Sequence, residues 1–298
     1  MNGVIAMAYG TPATPADLEP YYTHIRRGRP PSSELLAELR ERYDAIGGRS
    51  PLREITEAQA AGLAAALDVP VAVGYKHAPP FIEDAARALV QAGVEHVVGV
   101  VLAPHYSGMS IGEYADRAAA ALGDGATFAI VRSWATAPGY VEWLAEAVQA
   151  ALAQLGAAGD DAEVVFTAHS LPQRILAAAD PYPAELRATA AAVAAAARLT
   201  RWRVAWQSAG RTADPWLGPD ILQVLPQVGA SGATGVVVCP AGFVADHLEV
   251  LYDLDIEAAG AADALGLAFA RTASPNADPR LAATLAEAVT PLLEASRR

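Results

Sequence analysis

Ala8-Tyr9-Gly10-Thr11-Pro12 closes the first apolar run of this chain, and Ala168-His169-Ser170-Leu171-Pro172 closes another run in its second half. Both pentapeptides begin with alanine, end with proline and carry a polar ring at the second position. Two further stretches echo each other. VAVGYKHAPPFIED from Val71 parallels VAWQSAGRTADPWLGPD from Val204, and VVLAPHYS from Val100 parallels VVVCPAGF from Val236. Two similar α/β halves facing each other across a cleft account for all three pairs.

Working outward from these strand ends, short β-branched runs recur at 4–8, 69–74, 96–102, 127–131, 163–167, 203–206, 235–238 and 265–270. Alanine-rich helical stretches lie between them, several opened by a capping residue followed by proline, as at Thr14-Pro15. Strands alternating with helices of this length imply parallel βαβ units and an α/β fold, each sheet flanked by helices. The spacing divides the chain into 1–156 and 157–298, at the small-residue segment Gly156-Ala157-Ala158-Gly159. In open parallel sheets a ligand sits beyond the carboxyl ends of the strands. Tyr9 and His169 are therefore expected to face a common ligand from opposite halves.

The composition narrows the chemistry. At 298 residues the chain has room for two domains, and its 53% hydrophobic content is that of a packed globular protein. A net charge of -12 supplies no basic field for phosphates, which argues against a nucleic-acid partner. The single cysteine, Cys239, excludes a disulfide framework, a four-cysteine zinc site and an iron–sulfur cluster held by the chain's own thiolates. No apolar run reaches the roughly 20 residues that span a bilayer, and MNGVIAMAYG lacks the basic start of a signal peptide. A cytoplasmic location is expected.

The strongest local signal is the segment from Phe243 to Glu257, read as a helix that starts just after a strand. Glu249, Asp253 and Glu257 are spaced i, i+4, i+8, which stacks three carboxylates on one helical face. A solvated acidic face and a path for a divalent metal both fit, the second favoured by the neighbouring His247 and by the apolar residues between the acids. His169 at a strand end suits either a structural role or a catalytic one. No G-x-S-x-G elbow supports a serine hydrolase. His24-Ile25-Arg26-Arg27-Gly28-Arg29 is the one basic cluster in an acidic chain, with Arg42 and Lys76 in the same half. Arginine forks bind carboxylates in bidentate fashion, so a polycarboxylate ligand fits, as does ordinary surface charge. Ile46-Gly47-Gly48-Arg49-Ser50-Pro51 reads as a helix end and tight turn, with a phosphate cradle as the rival.

Taken in order, AYGTP at Ala8, YYTHIRRGR at Tyr21, RYDAIGGRSPL at Arg42, PFIEDA at Pro80, VLAPHYS at Val101, TAHSLP at Thr167, DPYP at Asp180, WQSAG at Trp206, DPWLGPD at Asp214 and GFVADHLEVLYDLDIE at Gly242 resemble the motifs of the ferrochelatase family. YYTHIRRGR and Tyr9 are similar to the bacillus-type branch that uses coproporphyrin III. The resemblance implies two flavodoxin-like domains of the chelatase superfamily with the porphyrin between them. It implies insertion of Fe(2+) into coproporphyrin III to give coproheme, with protoporphyrin IX insertion, a noncatalytic heme or porphyrin carrier, and a cobalt chelatase acting on a corrin precursor as alternatives.

The same resemblance assigns His169 and Glu249 as the catalytic, metal-handling pair, and Asp253 and Glu257 as an acidic ladder leading to them. It gives Tyr9 the face opposite that pair, and gives Arg26, Arg42, Tyr43, Ser50 and Tyr114 contacts to the macrocycle or its propionates. Fe(2+) is then a substrate, no prosthetic group is implied, and transient contact with other heme-synthesis enzymes is expected. Ala209, Arg211, Leu254 and Ile256 depart from the family pattern in the porphyrin-contact and acidic segments.

Overall fold

The computed structural model describes residues 1–295. Eight strands, β1 (Asn2–Ala8), β2 (Val71–Tyr75), β3 (His96–Val101), β4 (Thr127–Val131), β5 (Glu163–His169), β6 (Trp202–Gln207), β7 (Gly235–Cys239) and β8 (Ala268–Arg271), fall where the β-branched runs predict them. They form two parallel sheets of identical topology, ordered β2-β1-β3-β4 and β6-β5-β7-β8. Val4 pairs with Val71 and Val98 in one sheet, and Val164 pairs with Trp202 and Val237 in the other. The sequence echo is thus a structural duplication.

The helices that cover the sheets are α1 (Leu18–Ile25), α2 (Ser33–Ala45), α3 (Leu52–Leu67), α4 (Ile82–Gln91), α5 (Glu113–Leu122), α6 (Pro138–Gln154), α7 (Arg174–Ala177), α8 (Tyr182–Ala196), α9 (Ile221–Ala230), α10 (Leu248–Leu251), α11 (Ala259–Ala264) and α12 (Pro279–Ala295). Two of them change sides. α6 follows the first sheet in sequence but packs on α8, β7 and β8 of the second, whereas α12 returns to α3, β3 and β4 of the first and also touches α6. Val98 and Val100 of β3, Leu144 and Val148 of α6, Val237 of β7, and Leu285 and Val289 of α12 consequently belong to one continuous buried core. Each sheet keeps its own smaller core on the outer face, around Ile5, Ile82 and Leu89 in the first and Val165, Leu225 and Leu254 in the second.

One helix differs from its sequence reading. The stretch from Phe243 does not start helical: it runs as a loop until α10 begins at Leu248, and Asp253–Ala258 forms a π-helical turn before α11. Glu257 N bonds Tyr252 O at 3.0 Å, five residues back, so the acids follow a wider turn than the i, i+4 stripe of an α-helix. The wide turn lets Asp253 reach partners beyond its own helix while Leu254 and Ala258 still enter the second sheet's core.

Because α6 and α12 give the halves a shared core, they should unfold together. Leu285, fully buried in that core, is expected to cost about 2–5 kcal/mol when truncated in Leu285→Ala. In chemical denaturation the loss should appear as a lower midpoint of one transition. Two separated transitions would mean that the halves are held together by something other than this core.

Candidate active site

A cleft of about 1100 Å³ opens at the carboxyl ends of the strands, lined by both halves. It is slightly larger than the roughly 300–1,000 Å³ of common small-molecule sites, which suits a large ligand. β1 delivers Tyr9 to it, β2 delivers Lys76 and His77, β5 delivers His169, β6 delivers Ser208, and the loop after β7 delivers Phe243 to Glu249. The placement is the one that parallel sheets impose.

His169 is the last residue of β5, and its Nε2 lies 3.5 Å from Glu249 Oε1. His247 approaches the other carboxylate oxygen, Nε2 to Oε2, at 3.6 Å. Each ring is oriented by a backbone carbonyl: His169 Nδ1 donates to Ser170 O, and His247 Nδ1 donates to Ala245 O at 2.9 Å. With Nδ1–H committed in both rings, Nε2 is the atom that each presents to Glu249 or to a cation. All three side chains are partly open to the cleft. Burial alone would depress the His169 pKa, but the Glu249 carboxylate reverses the shift and raises it. Burial pushes Glu249 the other way, and the two imidazoles prevail, holding it ionised well below the ordinary carboxylate range.

The backbone places this pair with little slack. A Cβ on Gly242 would stand 2.8 Å from Ala168 Cα, so only glycine lets the loop after β7 cross β5 one residue before His169. Gly242 N donates to Thr167 O at 3.0 Å there. The buried Gln207 amide donates to Glu249 O at 2.9 Å and its Oε1 accepts from Thr167 Oγ1 at 2.7 Å, which ties the start of α10 to β5 and β6. Tyr182 Oη donates to His169 O at 3.0 Å.

The acidic ladder is only partly assembled. Asp253 is buried, ion-paired to Arg42 of α2 and hydrogen-bonded by Ser208 Oγ. Burial raises its pKa to about 6, against the opposing pull of Arg42. Glu257 is exposed, and neither acid lines the cleft. Among the described residues no group of three His, Cys, Asp or Glu side chains is gathered closely enough to hold a metal. Asp253 and Glu257 thus stand outside the cleft that Glu249 lines, Asp253 held by Arg42 and Ser208 and Glu257 at the surface.

Tyr9, Arg26, Arg42, Tyr43, Ser50 and Tyr114 all line the cleft. Tyr9 is 41% exposed and its ring lies 4.5 Å from that of His77. Tyr43 is buried, hydrogen-bonded to Thr11 Oγ1 at 3.0 Å and pushed up to about 12 by burial, so its phenol stays neutral. Ser50 Oγ accepts from Leu52 N at the start of α3, and Tyr114 lies beneath the Lys76 ammonium. Arg42 is already paired, whereas no Asp or Glu among the described residues pairs with Arg26, Arg27 or Arg29. That uncompensated positive charge faces the cleft. Sequence reasoning noticed His247 without assigning it a role, and missed Gln207 and His77. The strand-end rule finds both, since His77 follows β2 and Gln207 is the last residue of β6, beside His169.

A model of the ferrochelatase family matches residues 1–292. The chain belongs to the ferrochelatase family. It is 45% identical over 299 residues to the coproporphyrin III ferrochelatase of Anoxybacillus flavithermus, covering 96% of this chain and 95% of that one. It is 43% identical to the coproporphyrin III ferrochelatase of Bacillus pumilus, covering 99% and 98%. Among solved structures it is similar to SirB from Bacillus subtilis with Fe3+, at a TM-score of 0.61 and 14% identity over 99% of this chain and 97% of that one. CbiX, the terminal enzyme of siroheme biosynthesis in denitrifying bacteria, gives a TM-score of 0.57 at 18% identity, covering 97% and 98%. At those identities the likeness carries the fold, two similar α/β halves, and the family itself rests on the sequence match.

His105, in the cleft wall, is fully buried and bonds Thr189 Oγ1 at 2.9 Å, joining the halves. Burial lowers its pKa from 6.5 to about 3. Between those values the unfolded chain takes up a proton that the folded chain refuses, so stability falls as pH drops through this window, by up to about 1.4 kcal/mol per pH unit. Denaturation midpoints measured from pH 7 to pH 4 should lose part of their slope in His105→Gln. An unchanged slope would place the titrating group elsewhere.

Proposed function

We propose that this chain inserts ferrous iron into coproporphyrin III to give coproheme. The observation that carries the reading is the His169–Glu249–His247 cluster on one wall of a cleft whose other wall holds Tyr9 and the unpaired arginines. The names of the similar bacillus-type proteins support the choice of porphyrin.

Free porphyrin is planar, with two pyrrole protons in the path of the metal. Insertion exchanges those two protons for one Fe(2+), leaving the core neutral, and requires the ring to bend so that a lone pair meets the metal before both protons leave. Contacts remote from the ring centre supply the free energy for that distortion. Arg26, Arg42, Tyr43, Ser50 and Tyr114 are proposed to grip the macrocycle and its carboxylates, with arginine forks taking the propionates. Tyr9 faces the ring from the opposite side to His169. Nε2 of His169 and the Glu249 carboxylate hold the incoming iron and accept or relay the pyrrole protons. Iron binding displaces the His169 proton that Glu249 favours, so metal delivery and proton release are coupled. Asp253 and Glu257 are proposed to pass iron inward from the surface.

We propose that iron enters only as substrate and that no iron–sulfur cluster is held by the chain's own thiolates, since the only one, Cys239, is buried in β7. We propose that the reaction runs in the cytoplasm, with transient contacts to other enzymes of heme synthesis. The units of the duplication are taken as 1–156 and 157–298, each lending its last helix to the other's sheet.

Anaerobic turnover with Fe(2+) and, in parallel, coproporphyrin III and protoporphyrin IX tests the reading. Faster loss of free coproporphyrin III is expected. Preference for protoporphyrin IX would keep the activity and change the substrate, and tight binding without turnover would favour a carrier. In the same assay His169→Ala should lower turnover by about 10²-fold or more while leaving porphyrin affinity nearly unchanged; joint loss of both would assign His169 to binding or folding.

The ladder makes a separate prediction. Asp253→Asn and Glu257→Gln should raise the apparent KM for iron more than that for porphyrin. Because Asp253 ionises only above about 6, the wild-type KM for iron should climb as pH falls through that value, and Asp253→Asn should flatten the climb. A rise confined to the porphyrin KM would remove the ladder from the metal path.

A further inference from the structure

We propose that His24 and His77 form a second binding site for a divalent transition metal, on the first-half wall of the cleft and separate from His169 and Glu249. His24 comes from the end of α1 and His77 from the loop after β2, and both line the cleft. Their Nδ1 atoms face each other at 2.9 Å. Two metal–nitrogen bonds of about 2.0–2.1 Å hold their nitrogens ~2.9 Å apart at a right angle and ~3.4 Å apart at the tetrahedral angle. The observed gap matches the nitrogen spacing of cis positions on an octahedral ion. The ring centroids stand 5.1 Å apart, however, so each ring must swing by roughly 25° to aim its lone pair at the ion. A tetrahedral ion needs the nitrogens to part by about 0.5 Å as well.

Aromatic neighbours hold both rings. His24 stacks on Phe81 with centroids 5.1 Å apart and an interplanar angle of 25°, and His77 leans on Tyr9. Metal-binding imidazoles must be neutral, and burial, with Lys76 and His24 adding to it, lowers the His77 pKa to about 3. Of the cations nearby, Lys76 and Arg117 beside His77 are compensated, by Glu113 at 2.8 Å and Glu83 at 2.7 Å, whereas Arg26 and Arg27 beside His24 have no acidic partner among the described residues and weaken the site. Without metal, one ring donates its Nδ1–H to the other. On binding, that ring moves its proton to Nε2 and both Nδ1 lone pairs go to the cation, so no net proton is released. No hydrogen bond among the described residues engages either Nε2. The cleft side leaves the remaining coordination positions to water.

Imidazole ligands suit Zn²⁺, Co²⁺, Ni²⁺ and Fe²⁺ and not Mg²⁺ or Ca²⁺. With two protein ligands the site should bind and exchange such ions more readily than a closed four-ligand site. It would hold an ion beside Tyr9, away from the insertion pair.

Calorimetric titration with Zn²⁺ tests the site without reference to turnover. The parent is the full chain carrying His169→Ala and Glu249→Gln, which disables the insertion pair and leaves the His24–His77 wall intact. It is expected to retain one Zn²⁺ equivalent that is weakened at least tenfold when either His24→Gln or His77→Ala is added. Glutamine at 24 keeps a hydrogen-bonding partner for His77, and His24 is exposed, so an unchanged melting temperature in that variant separates lost ligation from lost folding. Zn²⁺ binding that is absent from the parent, or unchanged by His24→Gln, would overturn the proposal, leaving the pair a shared hydrogen bond. Neither result bears on iron insertion, which the turnover assay reads independently.

Discussion

The cleft depends first on the exchange of α6 and α12. A pair of four-stranded sheets joined only by a linker would slide or hinge, and a site built half from each would have no fixed width. Here Leu144 and Val148 of α6 sit in the same buried core as Leu285 and Val289 of α12, and that core includes strands from both sheets. The apolar term is large, roughly 1.5–3 kcal/mol for each such side chain, and it is non-directional. Polar contacts then set the register.

Those contacts cluster around the cleft. Gln59 of α3 donates to Val244 O and Asn276 O in the second half, at 3.0 and 2.8 Å. Asp180 accepts from Ser107 Oγ and Gly108 N, and Glu185 accepts from Tyr106 N and Ser133 Oγ. Tyr140 of α6 donates to Ala241 O at 2.9 Å, one residue before the glycine that lets the loop cross β5. Each bond lies within a few residues of a side chain that faces the ligand. A polar group truncated here would leave a buried partner unsatisfied, which costs more than the bond itself contributes. The cleft wall is accordingly stiff where Glu249 and His169 meet.

Much of this was legible in the sequence, for definite reasons. β-branched runs and their spacing revealed all eight strands, because a strand buried on both faces must be apolar throughout. The echo between Ala8 and Ala168 revealed the duplication, and the strand-end rule put Tyr9 and His169 in a shared cleft. The exchange of α6 and α12 was not legible: both helices have apolar faces, and periodicity does not say which sheet receives them. Nor was the π-helical turn, since Glu249, Asp253 and Glu257 satisfy α-helical spacing equally well. What widens the turn is tertiary, the reach of Asp253 toward Arg42 and Ser208.

The charge pattern then has a physical rationale that composition conceals. A chain of net charge -12 is poorly suited to hold a polyanion, yet it must hold both a cation and a ligand bearing carboxylates. On the proposed reading the two tasks fall to different parts of the cleft. His169, His247 and Glu249 meet on the second half, whereas Arg26, Arg27 and Arg29 on the first half, beside His24 and His77, lack acidic partners among the described residues. Arg42 crosses this division, stacked on Tyr252 and paired with Asp253, and Arg211 crosses it in the other direction, paired with Glu38. On the proposed reading, the ligand's carboxylates are drawn to the arginines of the first half, so the macrocycle is pulled at its rim on one side while His169 and Glu249 address its centre from the other. That arrangement favours bending the ring over clamping it flat.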